Sequence, residues 1–127
     1  MSDTLDGEDA KIVVLARTAR LRAHAPHTGT AEGAALRDTD GRTYAAATVE
    51  HSDPALTTSA LRGALSAAAS SGARRFEAAA LVTGDEGAPS DDDRRLLAEF
   101  AGAGLPVLVA DAKGQVRETV TVPGLSA

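Results

Sequence analysis

Residues able to do chemistry are sparse in this sequence, and their types narrow the choice. The 127 residues include no cysteine, which excludes disulfides, thiolate nucleophiles, iron–sulfur clusters and cysteine-ligated zinc. His24 and His27 stand three apart around a Pro-Gly turn, and His51 is the third histidine. No further well-placed ligand completes a metal centre, so neither a metal nor another cofactor is expected. Ser59 and Ser90 fall at the starts of two predicted helices. There a hydroxyl caps backbone amides, worth about 1 kcal/mol each. Two helix N-termini can also hold a small anion, but Asp91, Asp92 and Asp93 oppose one. Asp93 shares its helical face with Leu96, Leu97 and Phe100, which turns it inward, with Arg62 or Arg94 as its expected partner. Glu50 follows a strand-like run and, taken alone, is solvated or caps a helix.

The elements that must position these groups are legible from periodicity and breakers. Residues 1–9 are acidic and aperiodic and are expected to form a short disordered tail. A single domain over 10–127 then begins with a helix from Ala10 to about Ala23, capped by Asp9, with Ile12, Leu15, Ala16, Ala19 and Ala23 on one face. After the breaker at Ala25–Gly29, strands are predicted over Glu32–Arg37 and Arg42–Val49. They are joined by Asp38-Thr39-Asp40-Gly41, a hairpin signal. Leu61, Ala64, Leu65 and Ala68 form the stripe of a second helix, capped by Thr57 or Thr58 and stopped by Gly72. Phe76–Thr83 reads as a buried strand, Ser90 caps a third helix, Pro106–Ala110 is another buried strand, and Val116–Val122 is the last. The order α-β-β-α-β-α-β-β describes an α/β domain of three layers, α-β-α, around a sheet of about five strands.

Composition sets limits on function. Aromatic residues make up 2% of the chain, so much of the 43% hydrophobic content is alanine and the core must pack with small side chains. A net charge of −5 argues against nucleic acid or anionic membrane as partner, since both reward a basic patch. No apolar run approaches the ~20 residues of a membrane helix, and the N-terminus lacks the pattern of a signal peptide, so a cytoplasmic address is expected.

Several strings, in order and at matching spacing from about Ala10 to Pro123, resemble the small cytidine deaminases. Ala25-Pro26-His27-Thr28 is similar to that family's Ala-Pro-Tyr-Ser, and Gly33-Ala34-Ala35-Leu36 with Asp40-Gly41-Arg42-Thr43-Tyr44 to its first hairpin. Thr48-Val49-Glu50 stands at its Asn-Val-Glu, and Leu56-Thr57-Thr58-Ser59-Ala60-Leu61-Arg62 at Leu-Thr-x-Cys-Ala-Glu-Arg. Pro89-Ser90-Asp91-Asp92-Asp93-Arg94 falls on Pro-Cys-Gly-x-Cys-Arg, and Gly114-Gln115-Val116-Arg117-Glu118 on the final turn and strand. The resemblance implies a mixed central sheet, and a dimer or tetramer of identical chains.

The resemblance also implies a zinc-activated water and a glutamate that shuttles its protons. At those positions this chain has Ser59, Ser90 and Asp93 for the three metal ligands and Leu61 for the glutamate. Hydroxyls supply neither the charge nor the soft donor that zinc favours, and leucine moves no proton. The expected protein is therefore a non-catalytic homologue, a pseudoenzyme with an assembly or partner-binding role. The alternative is a binder of nucleosides or similar small molecules, or a related enzyme, that uses the remodelled pocket. Its ligand-binding candidates are Glu50, at a position the family uses for the ribose, Thr48 in place of asparagine, and Thr30 in place of the stacking aromatic.

Overall fold

The structure, a computed structural model, describes residues 5–84 and 86–125. Helix α1 (Gly7–Arg20) is followed by strands β1 (Gly33–Asp38) and β2 (Thr43–Ala47), a short 3-10 turn at Pro54–Leu56, and helix α2 (Ala60–Ser70). Then come β3 (Phe76–Val82), α3 (Asp91–Ala98), β4 (Leu105–Ala110) and β5 (Val116–Val122). The strands form one mixed sheet in the order β2-β1-β3-β4-β5, in which β3 and β4 are parallel and the other neighbours antiparallel. The predicted element order and the three-layer plan are both present.

Alternation along the central strands explains the layers. Ala34, Leu36, Ala79, Leu81, Val107 and Val109 face α2 and α3. Their neighbours Ala35, Ala78, Ala80, Val82, Leu108 and Ala110 face Ile12, Val13 and Ala16 of α1. Small side chains let the layers close up. A Cβ on Gly33 would lie 2.0 Å from the carbonyl oxygen of Ala16 and 2.5 Å from the backbone nitrogen of Arg20, so α1 rests directly on the start of β1.

The hairpin turn is built on Asp38. Its Oδ1 accepts from the backbone nitrogens of Asp40 (2.9 Å) and Arg42 (2.8 Å), and its Oδ2 accepts from the Tyr44 hydroxyl (3.0 Å). Burial opposes the charge, but these bonds outweigh it and hold the carboxyl below its ordinary range.

Several local expectations are corrected. Helix α1 starts at Gly7 and is capped by Asp6, whose side chain accepts from the Glu8 nitrogen. Asp9 is not the cap. It lies in the first turn and pairs with the buried Arg37 at 3.0 Å, a partner 28 residues away. Of the disordered tail expected over residues 1–9, residues 1–4 lie outside those described, and residues 7–9 are helical. The helix also ends at Arg20, and its buried stripe is Ile12, Val13 and Ala16, with Leu15 turned toward solvent. Of the residues expected to cap α2, Ser59 holds the cap as expected of its hydroxyl, and Thr57 and Thr58 do not. The end of this helix is as expected, with Gly72 at φ +102° just beyond it.

Candidate functional site

The crossover β3–α3–β4 brings the N-terminus of α3 over the carboxyl end of β3, the place where open α/β sheets form their ligand crevices. The N-terminus of α2 arrives beside it. Ser59, the N-cap of α2, accepts a hydrogen bond from the Arg62 nitrogen at 3.1 Å. Its own hydroxyl donates to Asp93 Oδ1 at 2.7 Å. Ser90, the N-cap of α3, accepts from the Asp93 nitrogen at 3.1 Å. Three residues predicted to share a site are thus brought together, with Asp93 buried, Ser59 partly buried and Ser90 exposed. Leu61, the second residue of α2, is 1% exposed and belongs to the core.

The expected arginine partner of Asp93 is corrected: its side chain is held by Ser59. The Nε of Arg94 instead donates to the carbonyl of Pro89 at 3.2 Å, and Arg62 is exposed.

A carboxylate that the residue pattern did not single out also belongs here. Glu32 immediately precedes β1 and continues the alternation of Ala34 and Leu36, the face covered by α2 and α3. Its Oε2 accepts from the hydroxyl of the buried Thr83, at 2.5 Å, just past the end of β3. Burial pushes the Glu32 carboxyl above its ordinary value of 4.5, and the charge of Asp93 adds to that shift. The Thr83 hydrogen bond and the charge of Arg20 oppose it. The period of two was the signal that could have placed it.

The three ligand-binding candidates have different fates. Glu50 is buried and fastened to the loop before β1. Its Oε1 accepts from the nitrogens of His27 (2.8 Å) and Thr28 (3.1 Å), and its Oε2 accepts from the Thr28 hydroxyl. The Thr28 hydroxyl, helped by the two amides, holds the carboxyl below its ordinary value against the cost of burial. Thr48 is buried, and its hydroxyl accepts from the Glu32 nitrogen at 3.1 Å. Thr30 is exposed, and its nitrogen donates to the Thr28 hydroxyl at 3.0 Å. Of the histidines, His51 uses Nδ1 to accept from the Asp53 nitrogen at 2.9 Å, a local turn.

The arrangement has clear counterparts. A family model described as cytidine deaminase-like matches residues 5–114. The chain belongs to the cytidine deaminase-like family. A cytidine deaminase of Sporosarcina psychrophila is 35% identical over 111 residues, covering 86% of this chain and 82% of that protein. Among solved structures, the cytidine deaminase of Burkholderia pseudomallei superposes with a TM-score of 0.81 at 31% identity, over 88% of this chain and 91% of that one. That of Mycobacterium leprae gives 0.75 at 28% identity over the same shares.

Cytidine deaminase-like enzymes that use zinc need donors able to hold it, and the residues here do not fit that need. The set is two neutral hydroxyls and one carboxylate. The Ser59 hydroxyl is spent on Asp93, and both serine oxygens accept helix amides. Among the described residues no cluster of three His, Cys, Asp or Glu side chains is arranged to hold a metal ion. Leu61, at the position where the sequence resemblance implies the proton-shuttling glutamate, is buried.

Proposed function

We propose that this cytidine deaminase-like protein does not carry out zinc-dependent hydrolytic deamination and acts as a non-catalytic subunit, associating with copies of itself or with a partner protein. The hydrogen bond from Ser59 to Asp93 carries this reading. It joins two of the positions where the family pattern places zinc ligands, and it satisfies a buried carboxylate that would otherwise be costly. Metal analysis after expression in zinc-supplemented medium tests it, together with ammonia release from cytidine and deoxycytidine. The expected results are substoichiometric zinc and no turnover. One zinc per chain with deamination at ordinary enzymatic rates would overturn the proposal.

The associating role is supported by apolar side chains left at the surface beside α2. Val49 is 54% exposed and Leu56 is 62% exposed, flanking the loop Glu50–Ala55. We place a dimer or tetramer contact on this loop and the outer face of α2, where small residues allow close approach. Light scattering across a concentration series reads it directly. A mass that stays near 12.8 kDa at tens of micromolar would exclude self-association. A cytoplasmic location is part of the same reading. No helix of the described residues is long and apolar enough to cross a membrane.

A second reading is favoured by the polar cluster Glu32, Thr83, Asp93 and Ser59 at the carboxyl end of β3, which suits a nucleoside-like small molecule better than an apolar one. A thermal-shift screen with nucleosides and bases distinguishes it: a saturable rise in melting temperature supports binding, and a flat response removes it.

A further inference from the structure

We propose that the outer face of α1 is a separate self-association surface, on which two copies of this chain pack their α1 helices antiparallel about a two-fold axis at Val14. Ile12, Val13 and Ala16 hold the inner face of α1 to the sheet. On the outer face Gly7, Lys11, Val14, Thr18 and Leu21 are all exposed. They recur at alternating steps of four and three, the spacing of a helix seam that meets another helix. Its two large apolar members are open to solvent, Leu21 at 80% and Val14 at 60%. Because α1 and α2 cover opposite faces of the sheet, this contact neither needs nor excludes the one placed at α2.

The surface that fits this stripe is the same stripe reversed. Gly7, Ala10, Lys11 and Val14 border a shallow groove of about 420 Å³. A Cβ on Gly7 would meet nothing within 4 Å, so the groove is open at that end. Gly7 lies as far before Val14 as Leu21 lies after it, about 10 Å at 1.5 Å per residue. Reversing one helix on the other therefore lays each Leu21 into the partner's groove, Lys11 beside the partner's Thr18, and Val14 against its own copy. Lys11 covers the seam with its stem while its ammonium keeps Glu8 at 3.0 Å. The charges choose the same direction. Asp6 and Glu8 stand at the start of α1, and Arg17, Arg20 and Arg22 at its end. Antiparallel packing brings Glu8 to the partner's Arg22 along one edge and Asp6 to the partner's Arg20 along the other, whereas parallel packing sets like charges and like dipole ends together. A second copy supplies knob, groove and opposite charge at once by symmetry.

A chain without cysteine allows the register to be read by disulfide trapping. Full-length Val14→Cys, altered on the axis, should form a covalent dimer under mild oxidation. Lys11→Cys and Thr18→Cys should each cross-link poorly alone, because about 9 and 12 Å of helix rise separate the symmetric copies, and should cross-link when mixed. Light scattering of Leu21→Glu, changed at an exposed position, should show the dissociation constant of this contact raised at least about tenfold. Leu56→Glu, on the α2 side, should leave the Val14→Cys cross-link intact. Three results would each overturn the α1 seam and leave the α2 contact standing. They are Val14→Cys cross-linking no better than Ala103→Cys at an exposed turn, Lys11→Cys cross-linking as readily alone as with Thr18→Cys, and an unchanged mass distribution in Leu21→Glu. A monomeric mass for the unaltered chain at tens of micromolar would overturn both contacts.

Discussion

Ser59 and Asp93, 34 residues apart in sequence, are joined by a 2.7 Å hydrogen bond that ties the first turn of α2 to the first turn of α3. The same serine oxygen accepts the Arg62 amide, so one hydroxyl both caps a helix and satisfies a buried carboxylate. Replacing Ser59 with alanine is expected to cost about 1 kcal/mol for the cap and roughly 1–3 kcal/mol more for the carboxylate left without its donor. A double-mutant cycle by urea denaturation with Ser59→Ala and Asp93→Ala should show a coupling on the order of 0.5–3 kcal/mol. Strict additivity would show that the two side chains do not depend on each other.

Leu61→Glu is expected to place a carboxylate in the core without restoring catalysis. The substitution forfeits roughly 1.5–3 kcal/mol of buried leucine and adds the desolvation of a charge. With Ser59, Ser90 and Asp93 unchanged, nothing supplies an activated water. Thermal melts should show a lower midpoint, and ammonia assays no gain. Deaminase activity in this single variant would mean that a metal binds despite the serines.

Glu50 is expected to act as an acid-sensitive clamp on the segment Ala25–Thr30. Its folded value lies below the ordinary 4.5, so the stability it contributes is complete above that value and is lost as pH falls through the lowered one. Glu50→Gln should lower the denaturation midpoint at pH 7 and flatten the loss of stability below about pH 4.5. Hydrogen exchange should report faster opening at His27 and Thr28, the amides the carboxylate holds. Unchanged exchange at both amides would contradict the clamp.

Gly33→Ala tests the contact between α1 and the sheet. The new methyl group would meet backbone atoms of Ala16 and Arg20, which cannot rotate away. The expected loss is at the upper end of the roughly 1–3 kcal/mol of overpacking, read as a lower urea midpoint. A neutral result would mean that α1 shifts freely over β1.

What the chain declares locally was legible, and what depends on distant contacts was not. The Asp38–Gly41 turn, the Gly72 stop and the Ser90 cap each follow from residues within a few positions, and each stands where expected. Asp9 looked like a helix cap because Arg37, which claims it, is 28 residues away. Asp93 was assigned an arginine because charge complementarity is visible in a sequence, whereas its true donor comes from the other helix. Glu32 was passed over because a glutamate at a strand boundary resembles a solvated edge. Only the closure of β3 against β1 supplies Thr83 and the burial that raises its carboxyl.

The alanine-built interior decides which way this protein is fragile. Ala34, Ala35, Ala79 and Ala80 line both faces of the central strands, and Ala60, Ala64 and Ala68 form much of the buried side of α2. A core of large side chains is most easily damaged by truncation, which opens cavities. Here many positions have nothing left to truncate except a methyl group, and at Gly33 the α1 backbone already meets that of β1. Tolerance should therefore be asymmetric along the size axis. Growth by even one or two carbons at these alanines forces layers apart, so the route by which such a chain drifts under mutation is confined to its surface and its loops.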